Sequence, residues 1–196
     1  SIVSDFDWDT DYSWFVCGFQ NDLLIECYDP LFFSTNQLPA NYPENVNVIF
    51  LDESQYNPGI TMLDYESLDF SVALDSYGKP VWFADKTVFD NSRIIVTQFL
   101  PSGNIVGFAP GTGYEFDLDS DIIFETPEGL GVHHHIYKTS NDTYFFIDAE
   151  VQSNLCPIEC NQDLPSEVPW QGDAFVEVDN QGNIIWEWST FDYLSL

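Results

Sequence analysis

Between residues 69 and 189 the chain repeats one arrangement five times: a short run of β-branched and aromatic residues, a tight turn of Asp, Asn, Gly or Ser, then a second such run. The segments are DFSVALDSYGKPVWFA, RIIVTQFLPSGNIVGFA, YEFDLDSDIIFET, HHHIYKTSNDTYFFID and AFVEVDNQGNIIWEWS. Branched and aromatic side chains pack well on a pleated surface, so runs of this kind bounded by turn formers read as antiparallel hairpins. No stretch keeps a 3.6-residue apolar period over three turns, so no helix is expected. The chain is therefore expected to be all-β.

Three of the hairpins also resemble one another. VALDSYGKPVWFA, YEFDLDSDIIFET and VEVDNQGNIIWEWS share apolar-x-apolar-Asp, a turn, then an apolar pair and an aromatic. They start near residues 72, 114 and 175, about 42 and 61 residues apart. A period of about 40–50 residues in all-β sequence points to propeller blades of four strands each. The longer interval holds VQSNLCPIECNQDLPSEVPWQG, residues 151–172, which is expected to be a loop insertion. Residues 46–196 thus read as an incomplete propeller of about two to three four-stranded blades, fewer than the roughly four needed to close a ring. Either the chain is part of a longer protein, or neighbouring copies cover its open sheet edges.

Residues 1–45 read differently, as a small β element followed by the Pro- and Asn-rich linker DPLFFSTNQLPANYPENV. In WFVCGFQNDLLIEC, Cys17 and Cys27 flank a polar turn symmetrically, so a cross-strand disulfide is geometrically easy. Cys156 and Cys160 would close a second, small loop. Zinc held by four thiolates is the competing reading, although neither pair has the spacing of common zinc modules. Two disulfides would imply an oxidising compartment, extracellular or periplasmic.

The chain carries 33 acidic residues against four Lys and Arg, a net charge of −29. That balance excludes nucleic acid and anionic lipid as partners and favours divalent cations. With 44% hydrophobic and 17% aromatic residues the chain is expected to pack a core rather than remain disordered. No apolar run is long enough to span a bilayer, and the start at Ser1 without a leader reads as a mature or trimmed product.

All three histidines stand together as His133, His134 and His135. In a regular strand His133 and His135 would share one face, a pair suited to a transition metal, while His134 would point to the other. A purely structural role, with the rings packed in the propeller interior, is the first reading, and a catalytic role stands beside the metal one. Asp5, Asp7, Asp9 and Asp11 alternate and would line one face of an extended segment, a calcium candidate that lacks the Gly and distal Glu of an EF-hand loop. Asp117, Asp119 and Asp121 repeat the spacing, and a plain hairpin turn is the better reading there. No organic cofactor is expected.

NPGITMLDY, VALDSYGKPVWF, QFLPSGNIVGF, GLGVHHHIYKTSNDTYFFI and AFVEVDNQGNIIWEWSTFDYL, in this order, resemble the aryl-sulfate sulfotransferase family over about residues 46–196. The resemblance implies a six-bladed propeller, a secreted or periplasmic setting, and sulfuryl transfer between phenols through a covalent histidine intermediate. His133 and His134 fall on the family's His-His pair and would position or protonate phenolic and sulfuryl oxygens. His135 stands where the family carries an acidic residue, so the partner that would orient the imidazoles is missing from that position. The family's nucleophilic histidine and sulfate-binding arginine belong to later blades. Of the cations Lys79, Lys86, Arg93 and Lys138, the last lies close enough on its strand to neighbour the histidines. The expected function is a secreted, acidic propeller module, non-catalytic as this chain, that binds cations and self-associates; part of a sulfuryl-transfer enzyme is the alternative.

Overall fold

The computed structural model describes residues 6–40, 42, 46–52, 54–57, 59–65, 70–155 and 167–193. Asp5, Cys156 and Cys160 lie outside the described residues. The chain forms two compact units, residues 1–44 and 45–196.

The first unit holds two antiparallel pairs: β1 (Asp11–Trp14) with β4 (Leu31–Ser34), and β2 (Cys17–Gln20) with β3 (Leu23–Cys27). Asn21 and Asp22 close the inner hairpin with φ of 49° and 62°, the paired left-handed conformations that a two-residue turn needs to follow strand twist. This register sets Cys17 opposite Cys27, with Cα atoms 4.0 Å apart, and the two are joined by a disulfide. Phe6, Tyr12 and Phe33 form a small aromatic cluster, with ring centroids 5.0–5.4 Å apart.

Among the described residues the second unit holds three sheets. The first has three strands, β5 (Thr61–Tyr65), β6 (Phe70–Leu74) and β7 (Pro80–Phe83). The second has four, β8 (Ile95–Phe99), β9 (Ile105–Ala109), β10 (Thr112–Phe116) and β11 (Ile122–Glu125). The third also has four, β12 (Val132–Lys138), β13 (Tyr144–Leu155), β14 (Glu167–Val178) and β15 (Ile184–Ser189). Each sheet is an antiparallel meander of consecutive strands, the order of a propeller blade, and the array does not close. All five expected hairpins form. Helical structure among the described residues is limited to one-turn 3₁₀ segments at Lys86–Val88 and Thr190–Asp192. None of it is long and apolar enough to cross a membrane.

The repeated motif turns out to be the last hairpin of each sheet, β6–β7, β10–β11 and β14–β15. Its Asp does the same work each time. The carboxylate of Asp75 accepts hydrogen bonds from the N–H groups of Tyr77 and Lys79, both at 2.8 Å. Asp117 accepts from Asp119 and Asp121 at 2.9 and 3.0 Å, and Asp179 from Gln181 and Asn183 at 2.9 and 2.8 Å. A short carboxylate that caps two N–H groups stabilises a tight turn, which is why Asp recurs there. Asp119 and Asp121 contribute their backbone to that turn.

Packing between sheets supplies the core. All of β9 is buried because both its faces are covered. Ile105 and Ala109 join Phe89, Ile94, Tyr114 and Phe116 against the first sheet, while Val106 and Phe108 join Val132, Ile136, Phe146 and Val176 from the third. Gly113 allows the close approach of the third sheet: a Cβ there would collide with Ile136 Cδ1.

Two expectations about loops are corrected: Leu31–Ser34, expected to be linker, forms β4 and pairs with β1. Residues 151–155 and 167–172, expected to be loop, extend β13 and β14 to twelve residues each, paired from Val151↔Gln171 to Leu155↔Glu167. This ribbon runs past β12 and β15, so neither face needs the apolar alternation that would mark it as strand.

Candidate functional site

The two ends of β12 are built differently. At its C-terminal end Lys138 lies between sheets two and three, where its ammonium contacts Glu115 at 2.7 Å and Asp142 at 2.9 Å. Glu115, 2% exposed, also accepts from Tyr144 Oη at 2.5 Å and Asn104 Nδ2 at 2.7 Å. Burial pushes the Glu115 carboxyl up, but the bonds from Lys138, Tyr144 and Asn104 outweigh it and hold the group below the usual carboxylate range. Burial likewise opposes the charge on Lys138, yet Glu115, Asp142 and Tyr144 raise its pKa overall. Tyr144 is raised by burial and by Glu115, and its ring stacks on Phe124 at 3.7 Å. Lys138 is therefore engaged in this network and is not a cation held for the histidines.

At the other end β12 breaks register. His133 pairs with Ile147 and Ile136 with Phe146, so His134 and His135 are extra residues in a bulge. His134 has φ of 62°, and its ring meets that of His133 edge-on with centroids 4.7 Å apart. The expected alternation, with His133 and His135 on one face and His134 opposite, required a regular strand and does not hold. Bulges re-aim side chains in this way and recur beside functional sites.

From its register position opposite Ile147, His133 reaches toward β14. Its Nε2 lies 3.1 Å from Asp173 Oδ1, an ion-pair distance, though out of line for a hydrogen bond. That nitrogen is shielded from solvent, while the side chain as a whole is 26% exposed. Asp148, on the buried face of β13, accepts from the N–H of Gly131. Burial raises the Asp148 pKa, with Glu150 adding to the rise; the Gly131 bond and the nearby His133 oppose it. Glu150 in turn accepts from Ser189 Oγ. His133 and Asp173 thus share one face at this end of the third sheet, with the His134 ring against His133, while Asp148 and Glu150 lie on the other face. Of these, sequence reasoning missed Asp148, Glu150 and Asp173, whose spacing from the histidines only the sheet register makes meaningful.

The N-terminal acidic residues are arranged otherwise. Asp9 is in a left-handed turn with φ of 51°, accepting from Gln37, and Asp11 starts β1, accepting from Ser34 Oγ at 2.5 Å. Among the described residues no three His, Cys, Asp or Glu side chains are grouped as metal ligands. An apolar cavity of about 260 Å³ between the first two sheets is lined by Met62, Trp82, Phe99 and Leu118, and no histidine reaches it.

A search of the curated proteins found no match for this sequence. The sequence model of the arylsulfotransferase (ASST) family matches residues 26–196, which takes in every blade and the histidine bulge. With that span covered, the chain belongs to the arylsulfotransferase family.

Proposed function

We propose that this chain is the histidine-pair portion of an enzyme that transfers a sulfuryl group between phenols in an extracellular or periplasmic compartment. The observation that carries the reading is the bulge that brings the His133 and His134 rings together beside Asp173. In such a transfer the S–O bond of an aryl sulfate breaks, the sulfuryl group passes to an imidazole nitrogen, and the departing phenolate takes up a proton. A second phenol then accepts the sulfuryl group and releases its proton. His133 and His134 serve the proton and orientation part of this cycle, a role that needs an imidazole fixed by a neighbouring acid. The Cys17–Cys27 disulfide supports an oxidising compartment. The charge of −29 opposes an anionic substrate, but salt screens it beyond about 8–10 Å, so local groups decide. The test is release of a chromogenic phenol from its sulfate in the presence of an acceptor phenol, by the protein in its longest native form, with His133→Ala and His134→Ala as controls.

A second reading is a non-catalytic module that binds divalent cations and assembles with neighbouring copies. It is favoured by the outer face of the third sheet, where Phe175, Trp186 and Tyr193 are 37%, 46% and 70% exposed. Sedimentation with and without a calcium chelator tests it: a monomer indifferent to the chelator counts against assembly and cation dependence.

A further inference from the structure

We infer that Asp173 is a positioning residue that fixes His133 in the tautomer protonated on Nε2 and leaves Nδ1 as the nitrogen free to act. The sequence places no acid at position 135; the fold brings one from position 173, two strands away.

The register explains how. His133 opposes Ile147, and Asp173 opposes Ala149, two residues further along β13. Directly paired residues of an antiparallel sheet share a face, as do residues two apart on one strand. His133 and Asp173 therefore project from the same face, and the β13 residue on that face beside Asp173 is only a methyl. The imidazole reaches across β13 to within 3.1 Å of the carboxylate. The N–H of Asp173 donates to Thr190 Oγ1 at 3.2 Å, which ties this part of β14 to the turn after β15.

The protonation state follows from that contact. With Nε2 unprotonated, the negative partial charge of that nitrogen would lie 3.1 Å from a carboxylate oxygen in a spot that water does not reach. Two acceptors so close repel each other, so the proton belongs on Nε2. In the neutral ring the lone pair is then on Nδ1. The half of this inference concerning Nδ1 as the acting atom rests on the sulfuryl-transfer reading above; the half concerning the tautomer does not.

Nitrogen-15 NMR of the imidazoles in the intact protein at about pH 8.5, where free imidazole is neutral, reads the tautomer directly. His133→Gln assigns the signals. The expected result is His133 protonated on Nε2 in the wild type and a tautomer mixture in Asp173→Ala, with His135 unchanged. Ala149→Leu, which sets a branched side chain between the two groups, is expected to give the same mixture. A His133 that carries its proton on Nδ1, or shows one tautomer ratio in all three proteins, overturns the inference. Where the protein turns over, Asp173→Asn is expected to lower kcat by roughly 10²-fold with little change in KM, and an unchanged kcat overturns the Nδ1 role. An inactive protein with Nε2-protonated His133 removes the sulfuryl-transfer reading and the Nδ1 role with it, and upholds the Asp173 pair.

Discussion

The seven residues of β12 end in two sites of opposite character. At Lys138 the strand is regular, and each charge in the network is bonded: Lys138 to Glu115 and Asp142, Glu115 also to Tyr144 and Asn104. At His133 the strand bulges, one imidazole nitrogen is buried without a hydrogen bond, and a carboxylate sits beside it. Saturated networks stabilise and specify packing, whereas groups held with spare bonding capacity are available for chemistry. Under the proposed reading, one end of the strand serves stability and the other serves chemistry.

The sharpest way to break that assignment is Lys138→Met. It leaves the Glu115 charge buried and unpaired, so a loss of roughly 3–5 kcal/mol is expected in urea denaturation. Adding Glu115→Leu should restore much of that loss, since an apolar pair needs no partner. No recovery in the double variant would mean that packing, not charge, holds this end.

Acid should separate the two ends by sign. Glu115 has a lowered folded pKa, so its contribution is complete above the ordinary carboxylate range and is lost as pH falls through the folded value. Asp148 has a raised one, so the folded state binds its proton first and this group favours folding as pH falls through that raised value. Denaturation against pH should therefore show a weaker acid loss in Glu115→Gln. Asp148→Asn, which keeps the acceptor for Gly131, should be no less stable than wild type at pH 7 and lack the gain in mild acid.

Smaller effects sharpen the picture of the turns. Asp117→Ala removes two hydrogen bonds and should lower stability by roughly 1–2 kcal/mol. Asp119→Ala should stay within about 0.5 kcal/mol, because only its backbone serves the turn. His133→Ala should likewise change stability by less than about 0.5 kcal/mol while removing the sulfuryl transfer proposed for its end.

The sequence made the hairpins legible because their alternation and turn residues are local signals. The Cys17–Cys27 bridge was legible for the same reason, since symmetry about a two-residue turn fixes it. What stayed hidden was set by partners far along the chain. The bulge at His134 and His135 exists because Ile136 must face Phe146 in the core while His133 opposes Ile147. Nothing within VHHHIYK states that requirement. The β13–β14 ribbon was hidden because strands open on both faces lose their apolar period. Asp173 was hidden because 40 positions separate it from His133, and only β13 between them makes the two neighbours.

The central claim is that the bulged end of β12 does chemistry. The most direct test is sulfuryl transfer from a chromogenic phenyl sulfate to a phenol, measured on the native protein beside His133→Ala at matched stability. The account predicts turnover in the wild type and its loss, by about 10² or more, in the variant. Equal turnover in both, or none in either, would contradict it.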